Sequence, residues 1–395
     1  QELAHVARLL HAPVTTSWSA RGAIAETDPL AFSMIHVETV TAVRNAADLV
    51  LCIGSDLGET DWWGKAPYWP PAGKQRFIQV DIDESCLGRN HPVDLAVHAD
   101  GRAFLRHLVE GLREGSGGGA RLDKRRARVT ELAAARDADR ARLDTVLEDR
   151  SAPMVTAHVG AACRKVFDDD AVAVFDGGNT AVWGNFYSQL RTPSCVLGTH
   201  HFGHLGAGLG QALGAAVARP RSQVYCVIGD GAMGFHPQEI ETAVRNDLRV
   251  VFLVCCDRQW GMVKLTQSLG LDPIKTVAKK VLGPEGGPME LPLDGGAVEK
   301  AAQDLLGPLK DAVQRSLGAV RTINADLGEI RFDEVARAMG AHGERVSDPS
   351  EHEPALERCL ASSLPAVIHV EVDGDKHLWA PGLKHFMAMH QEPKG

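Results

Sequence analysis

The chain has 395 residues, which is long enough for two or three domains, each with its own hydrophobic core. Its hydrophobic content of 44% and charged content of 24% are typical of a water-soluble globular protein. The formal net charge of −9 argues against nucleic acid as a main partner, and no apolar run approaches the length of a membrane span. We expect neither a nucleic-acid nor a membrane partner.

The eight cysteines are scattered, and several of them lie in apolar runs. They form neither a CxxC motif nor a Cys/His pattern with the spacing of a metal site. This usage is typical of small core residues in a reducing compartment, so we expect a cytoplasmic protein.

The first part of the chain alternates helix and strand patterns. An amphipathic stripe opens the chain without a preceding cap, and strand patterns follow at Leu49–Ile53 and Arg76–Ile82. We predict a Rossmann-like α/β domain over residues 1–112 that is truncated at its N-terminus. No GxGxxG motif occurs in it, so the motif that would assign a dinucleotide is missing.

A connector separates this domain from the rest. The sequence EGSGGG predicts a flexible link, and Arg121–Arg150 then shows a charged helical pattern. Acidic and basic residues are interleaved there, which indicates a solvated helix face. We assign residues 113–151 to a linker and a charged helix.

A second α/β domain is predicted over residues 152–395. Its buried strand patterns lie at Ala171–Phe175, Val224–Ile228, Val250–Cys255 and Ala366–Val372. A Pro/Gly-rich lead-in and a helical apolar stripe interrupt the rhythm at about 265–325. This inserted segment is compatible with a lid or with packing on its own domain or a neighbouring subunit. The fold class is therefore α/β with two doubly wound parallel-sheet domains.

Two acids follow two of these strands. Gly229, Asp230 and Gly231 come after the strand at 224–228, and Asp257 comes after the strand at 250–255. Because parallel strands end at the same edge of a sheet, the two carboxylates are expected to converge. Paired oxygen ligands suit Mg²⁺, and the glycines let backbone amides approach an anion. The stretch predicts a site for Mg²⁺ and a diphosphate.

Three histidines lie close together at His200, His201 and His204. Their spacing matches no known metal pattern, and no carboxylate lies among them. A polar role facing a substrate and a structural or solvated role both stay open.

Several segments in the same order resemble the thiamine diphosphate-dependent enzymes of the acetolactate synthase and benzoylformate decarboxylase group. The family's cofactor motif is GDG, a spacer and a pair ending in Asn; here the pair is Cys256 and Asp257. The segments DGGNTAVW and FGHLGAGLGQALGAAVARP are similar to its diphosphate-contacting segment and its Gly-rich turn and helix, and residues 1–112 to its middle domain. The resemblance covers nearly the whole chain except the insertion at 265–325.

The resemblance implies roles for particular residues. The side chains of Asp230 and Asp257 and the carbonyl of Gln259 would ligate Mg²⁺. Leu205 would be the apolar wedge that bends the cofactor, and Gly203 would offer a carbonyl to the cofactor's amino group. The residues implied to line the diphosphate are Asn179, Thr180, Gly229, Gly231 and Ala232. His200, His201 and Trp260 are candidates for facing the substrate.

The implied chemistry is decarboxylation or carboligation of 2-keto acids, because the bound cofactor attacks the keto carbon and stores the resulting carbanion. In the family a preceding pyrimidine-binding domain carries the activating Glu, and this sequence begins inside the middle domain. We therefore expect a fragment, or a chain that receives this domain from a partner chain, and no turnover by the polypeptide alone. The family also implies a homodimer or homotetramer.

Alternatives remain at this point. A non-catalytic module that keeps the fold for assembly or regulation is one, and an acyl-CoA lyase or decarboxylase relative is another. The middle domain binds FAD in some relatives and an ADP group in others, and no motif in this sequence selects either.

Overall fold

A computed structural model describes residues 2–114, 119–200, 202–273, 275–276 and 320–389. The chain divides into two compact units. The first comprises the described parts of Gln1–Glu148, Gln189–Phe202 and Ala388–Gly395, and the second those of Asp149–Ser188 and Gly203–Met387. The units are described separately below.

The elements before residue 149 alternate between helix and strand. They are α1 (Glu2–Leu10), β1 (Val14–Thr16), β2 (Ala31–Ser33), α2 (Val37–Ala46), β3 (Leu49–Ile53), β4 (Arg76–Asp81), β5 (Leu95–His98), α3 (Gly101–Glu114) and α4 (Gly119–Asp144), with short 3-10 turns at Glu59–Gly64, Glu84–Cys86 and Thr145–Glu148. The pairs β1–β2, β3–β4 and β4–β5 are all parallel. The predicted strands at Leu49–Ile53 and Arg76–Ile82 are thus present.

The charged segment that we predicted inside 113–151 forms the long helix α4, which belongs to the first unit. Few of its side chains are apolar, and two of these are buried. Val129 packs in a cluster with Ala7 and Ile24, and Leu132 packs with Phe32 and Val40. The rest of the described face is largely exposed and carries the interleaved charges.

The elements after residue 149 build the second unit, apart from β7 in the first. They are α5 (Ala157–Val166), β6 (Val172–Asp176), α6 (Asn179–Tyr187), β7 (Val196–Gly198), α7 (Ala207–Ala218), β8 (Val224–Gly229), α8 (Asp230–Met233), α9 (Glu239–Arg245), β9 (Val250–Cys256), α10 (Gly261–Leu271), α11 (Phe332–Ala338), β10 (His342–Val346), α12 (Pro349–Ala361), β11 (Ala366–Glu371), α13 (Gly374–His377) and α14 (Leu383–Met389).

The five strands of the second unit lie in the order β10–β11–β9–β8–β6, and every neighbouring pair is parallel. β6, β9 and β11 are buried along their whole length, because helices cover both faces of a parallel sheet. This explains why these strands read as continuous apolar runs. The predicted α/β class with parallel sheets is confirmed.

β10 was not predicted, because its sequence HGERV reads as a polar loop. The strand lies at the edge of the sheet, where charged residues are tolerated. Its Glu344 pairs with Arg358, and its Arg345 pairs with Glu371 on β11. Ion pairs therefore hold this strand in place, and it lacks the apolar pattern by which a strand is predicted from sequence.

The segment predicted as an insertion at about 265–325 lies mostly outside the described residues. Its first part continues α10 to Leu271, and its last residues, from 320 onward, are irregular. Among the described helices, none is both long enough and apolar enough to cross a membrane.

A buried histidine in the second unit makes stability depend on pH. His352 on α12 is 1% exposed, and neither ring nitrogen has a hydrogen-bond partner within the described residues. Burial, with a smaller contribution from the charge of His158, lowers the pKa of His352 to about 4. Above pH 6.5 the imidazole is neutral in both the folded and unfolded states. As the pH falls below that value, the unfolded state binds the proton more readily than the folded state does. The free energy of unfolding therefore decreases by up to about 3 kcal/mol by pH 4.

We expect His352→Leu to remove this part of the acid destabilisation. Urea unfolding at pH 7.5, 6 and 5 should show a smaller fall in the free energy of unfolding for the variant than for the natural chain. His107→Leu is the matched control, because His107 is 83% exposed on its side chain. Equal pH dependence in His352→Leu and the natural chain would contradict the assignment.

Candidate metal and diphosphate site

The carboxyl ends of adjacent parallel strands in the second unit bring polar residues together. Asp176 ends β6 opposite Ile228 of β8, and Gly229 ends β8 opposite Cys255 of β9. The residues that follow β8 and β9 are Asp230 and Asp257. The sequence-based prediction placed acids after these two strands, and the structure shows that β8 and β9 are direct neighbours.

Asp230 is held by backbone amides on both sides. Its Oδ1 accepts a hydrogen bond from the amide of Gly231 at 2.7 Å, and its Oδ2 accepts one from the amide of Arg258 at 2.8 Å. The second bond crosses from the turn after β8 to the turn after β9. The residue following Asp257 is therefore in direct contact with the Asp230 carboxylate.

Asp257 is buried beside a histidine from the C-terminal region. Its Oδ2 lies 3.8 Å from Nε2 of His377, and the side chains are 4% and 3% exposed. Oδ2 accepts no hydrogen bond within the described residues. A buried carboxylate oxygen without a partner is costly, and this indicates a missing ligand.

The electrostatics of the two acids agree with this geometry. Burial raises the pKa of Asp230 to about 6. Burial and then the negative charge of Asp230 raise the pKa of Asp257 to about 7. A divalent cation would neutralise both carboxylates and satisfy the unpaired oxygen, so the residues present fit Mg²⁺.

Glycines keep the neighbouring turns narrow. Gly177, after β6, has a φ of +99°, and a Cβ there would lie 3.4 Å from the amide nitrogen of Gly229. A Cβ on Gly231 would lie only 2.5 Å from Cζ3 of Trp260. The indole therefore lies directly on the backbone of the GDG turn, and a larger residue at 231 would displace it.

The predicted diphosphate contacts on α6 lie at the same edge. Asn179 and Thr180 begin the helix and are 2% and 3% exposed. Oδ1 of Asn179 has no hydrogen-bond partner within the described residues. Oγ1 of Thr180 lies 3.3 Å from Nε2 of His377 and 3.1 Å from the Cβ position of Gly229. The Thr180 side chain is thus next to the GDG turn, and Nδ2 of Asn179 lies 3.0 Å from the Cβ position of Gly261, in the segment after β9.

A cavity of about 330 Å³ opens beside Asp230. Its lining residues are Asp230, Gly231, Gly234, Phe235, Trp260, Leu327, Gly328, Glu329, Ile330 and Phe332. Trp260 meets Phe235 edge-on, with ring centroids 6.1 Å apart. The candidate Trp260 therefore lines the cavity next to the predicted metal ligand.

The remaining residues that the sequence predicted to contact cofactor or substrate do not lie together. Gly203 has a φ of +66° and open space at its Cβ position, whereas Leu205 packs against the main core cluster that contains Ala232. His200 belongs to the first unit, where its ring lies 6.3 Å from that of Trp18. His201 lies outside the described residues.

His377 was missed by the sequence analysis, which found no decisive pattern in the C-terminal tail. Its Nδ1 lies 2.6 Å from Oγ1 of Thr156, and its carbonyl accepts a hydrogen bond from Nε1 of Trp183 at 2.9 Å. Burial lowers its pKa to about 3, so the imidazole is neutral. The signal that was available is its position shortly after β11, at the edge where the other strands end.

Comparison with protein families identifies the two units. A model described as thiamine pyrophosphate enzyme, central domain, matches residues 1–108, and one described as thiamine pyrophosphate enzyme, C-terminal TPP binding domain, matches residues 176–289 and 304–370. The chain belongs to the thiamine pyrophosphate enzyme family. The resemblance stated from the sequence motifs is confirmed, and both acids of the strand-end site fall inside the TPP-binding match.

Curated relatives of this family member include a probable acetolactate synthase of Mycobacterium bovis and the acetolactate synthase large subunit IlvG of Mycobacterium tuberculosis. Each is 30% identical over 363 residues, which is 92% of this chain and 55% of the relative. A sulfoacetaldehyde acetyltransferase of Castellaniella defragrans is 28% identical over 68% of this chain and 47% of its own length. The chain thus spans about half the length of the relatives it matches.

Proposed function

We propose that this chain is the metal- and diphosphate-binding part of a thiamine diphosphate- and Mg²⁺-dependent enzyme that decarboxylates 2-keto acids and transfers or joins the remaining acyl unit. The observation that carries the proposal is the pair of buried acids at the ends of β8 and β9, with one carboxylate oxygen unpartnered within the described residues. Relatives named acetolactate synthase support this reaction class over the alternatives.

The proposed ligands are those that the resemblance to the family motif implies. Asp230 and Asp257 would supply carboxylate oxygens to Mg²⁺. The family motif that the sequence resembles implies the main-chain carbonyl of Gln259 as the third protein ligand, and the side-chain amide of Gln259 donates to the carbonyl of Gly374 at 2.7 Å. Gln259 follows Asp257 by two residues in the turn after β9.

The diphosphate would lie on the glycine-rich turns. Gly229 and Ala232 would offer backbone amides after β8, and Asn179 and Thr180 would offer polar side chains at the start of α6. Gly231 would line the diphosphate without its amide, which already donates to Asp230. Bound thiamine diphosphate supplies a nucleophilic carbon and an electron sink. The protein's part is to bind and orient the cofactor and to exclude water. Gly203 and Leu205 are proposed to contact the end of the cofactor remote from the metal.

The cavity beside Trp260 is the proposed path for the substrate. Its lining is mainly apolar, with Glu329 and Asp230 as the acidic groups. Such a lining suits the short carbon skeleton of a keto acid next to the cofactor. His200 and His201 are not assigned to this cavity.

Assembly and location are part of the same proposal. None of the eight cysteines, all of which lie among the described residues, forms a disulfide, which supports a reducing compartment such as the cytoplasm. We propose that the protein acts as a homo-oligomer or together with a chain that supplies the pyrimidine-binding domain. The term "large subunit" in the names of some relatives indicates that those proteins assemble with others.

Calorimetric titration tests the proposal. We expect thiamine diphosphate to bind the chain when Mg²⁺ is present and to lose at least about tenfold in affinity when EDTA replaces it, because Asp230 and Asp257 would hold the metal and the metal would neutralise diphosphate charge. The full-length natural protein should then consume pyruvate or a related 2-keto acid in a carbon dioxide release assay. Absence of binding in both conditions would refute the cofactor assignment, and binding without any turnover by the full-length protein would indicate a non-catalytic module.

A further inference from the structure

Arg258 has an unusual backbone conformation in the turn after β9. Its φ is +56°, in the left-handed region that arginine rarely adopts. Such a conformation persists only when surrounding contacts compensate for it. The residue lies between two of the proposed metal ligands, Asp257 and Gln259.

Backbone contacts of Arg258 account for part of this compensation. Its amide donates to Oδ2 of Asp230, and its carbonyl accepts a hydrogen bond from the amide of Leu327 at 2.7 Å. Next to it, the amide of Trp260 donates to the carbonyl of Ala325 at 2.8 Å. The turn after β9 is therefore joined to the GDG turn on one side and to residues 325–327 on the other.

The guanidinium of Arg258 joins the turn to a third element. Its Nη2 donates to both carboxylate oxygens of Glu371 at 2.9 and 3.2 Å, and it lies 3.7 Å from Glu329. Glu371 ends β11 and is only 10% exposed on its side chain. Arg345 and His369 also contact Glu371, so this carboxylate is held in place independently of Arg258.

We propose that Arg258 is a positioning residue that holds the turn after β9 against β11 and thereby presents Asp257 and Gln259 to the metal. The inference rests on the proposed function for its consequence at the metal. That Arg258 holds the turn after β9 against β11 does not depend on the proposed function, since these contacts are present in the chain without a bound metal. Glu371 is the anchor, and the strand beneath it is buried along its length.

A different role for Arg258 predicts an effect of opposite sign. A positive charge near the two acids disfavours a cation, so an arginine acting only through its charge would weaken Mg²⁺ binding. Its removal would then tighten binding. If Arg258 instead positions the turn, removal weakens binding in spite of the favourable change in charge.

The test uses Arg258→Asn, because asparagine tolerates the left-handed conformation while lacking the guanidinium. Hydrogen exchange is measured on the ligand-free chain at the amides of Trp260 and Leu327, and Mg²⁺ affinity is measured by titration in the presence of thiamine diphosphate. We expect exchange to accelerate by about tenfold or more and Mg²⁺ to bind at least about threefold more weakly. Arg258→Lys should restore part of both effects.

Arg245→Gln is the matched control, because it removes one positive charge from an exposed ion pair with Glu241 on α9. Unchanged exchange in Arg258→Asn, or tighter Mg²⁺ binding, overturns the proposal. If the natural chain binds no Mg²⁺, the proposed function fails, and the exchange measurement alone then decides whether Arg258 holds the turn.

Discussion

Replacing Asp230 with alanine is expected to weaken the binding of Mg²⁺ and thiamine diphosphate by at least about tenfold, since a charge-assisted metal contact is lost. Asp230 also accepts hydrogen bonds from the amides of Gly231 and Arg258. The alanine variant leaves both amides without that acceptor in a buried site, which costs roughly 1–3 kcal/mol for each group left unsatisfied. The loss of affinity should therefore come with a lower melting temperature.

Asp230→Asn separates these two effects. The amide oxygen keeps one acceptor and nearly the same volume, so the fold should be disturbed less while the charge is still lost. Glu241→Ala, at an exposed ion pair on α9 of the same unit, serves as the control. Titration calorimetry and thermal unfolding of the three variants give both quantities. Unchanged affinity in both Asp230 variants would show that the metal lies elsewhere.

Asp257→Asn is expected to have opposite effects on stability and on metal affinity. Burial and the charge of Asp230 raise the pKa of Asp257 to about 7. When folding raises the pKa of a carboxyl group, the free energy of unfolding decreases as the pH rises from the pKa in the unfolded state towards the pKa in the folded state. At pH 8 without metal, the charge on Asp257 therefore opposes folding, and the neutral asparagine should stabilise the protein.

The same substitution removes one of two negative charges from the site, so Mg²⁺ should bind about tenfold more weakly. Unfolding in urea at pH 5 and pH 8, with EDTA or with saturating Mg²⁺, measures both effects. The stabilisation should be larger at pH 8 than at pH 5, and saturating Mg²⁺ should reduce or reverse it. A variant that is less stable than the natural chain in EDTA at pH 8 would show that the two carboxylates do not repel each other as inferred.

The family motif that the sequence resembles ends in Asn where this chain has Asp257, so the experiment also tests what the aspartate contributes. The unpartnered Oδ2 beside His377 indicates that the fold tolerates the extra charge at a cost in stability. A metal that relieves this destabilisation when it binds would bind more tightly for that reason. We therefore expect Mg²⁺ to raise the free energy of unfolding more in the natural chain than in the Asp257→Asn variant.

The main strands of the second unit and the position of its site could be predicted from local patterns. β8 and β9 are continuous apolar runs followed at once by Asp230 and Asp257, and this pattern requires buried parallel strands. The first unit was predicted less completely. β2 and β5 have three and four residues, too short for a periodic pattern to indicate them.

Other parts of the site depend on contacts between distant residues. His377 reaches Thr156, Thr180 and Asp257 from the far end of the chain, and its neighbours in sequence form no decisive pattern. The anchor of Arg258 on Glu371 is equally invisible in the sequence, because ion pairs impose no periodicity. His352 could not be ranked as buried or exposed from the pattern of α12 alone.

The sequence by itself determined the family, the α/β class and the two acids, because strand burial and turn chemistry leave short-range signatures in the order of residues. Only the tertiary structure decided how those acids are supported: which amides hold Asp230, which oxygen of Asp257 stays unpartnered, and which residues brace the turn between them. These properties follow from how side chains of separate elements meet at one sheet edge. Burial there shifts the pKa values of both acids, and burial is a property of the packed chain.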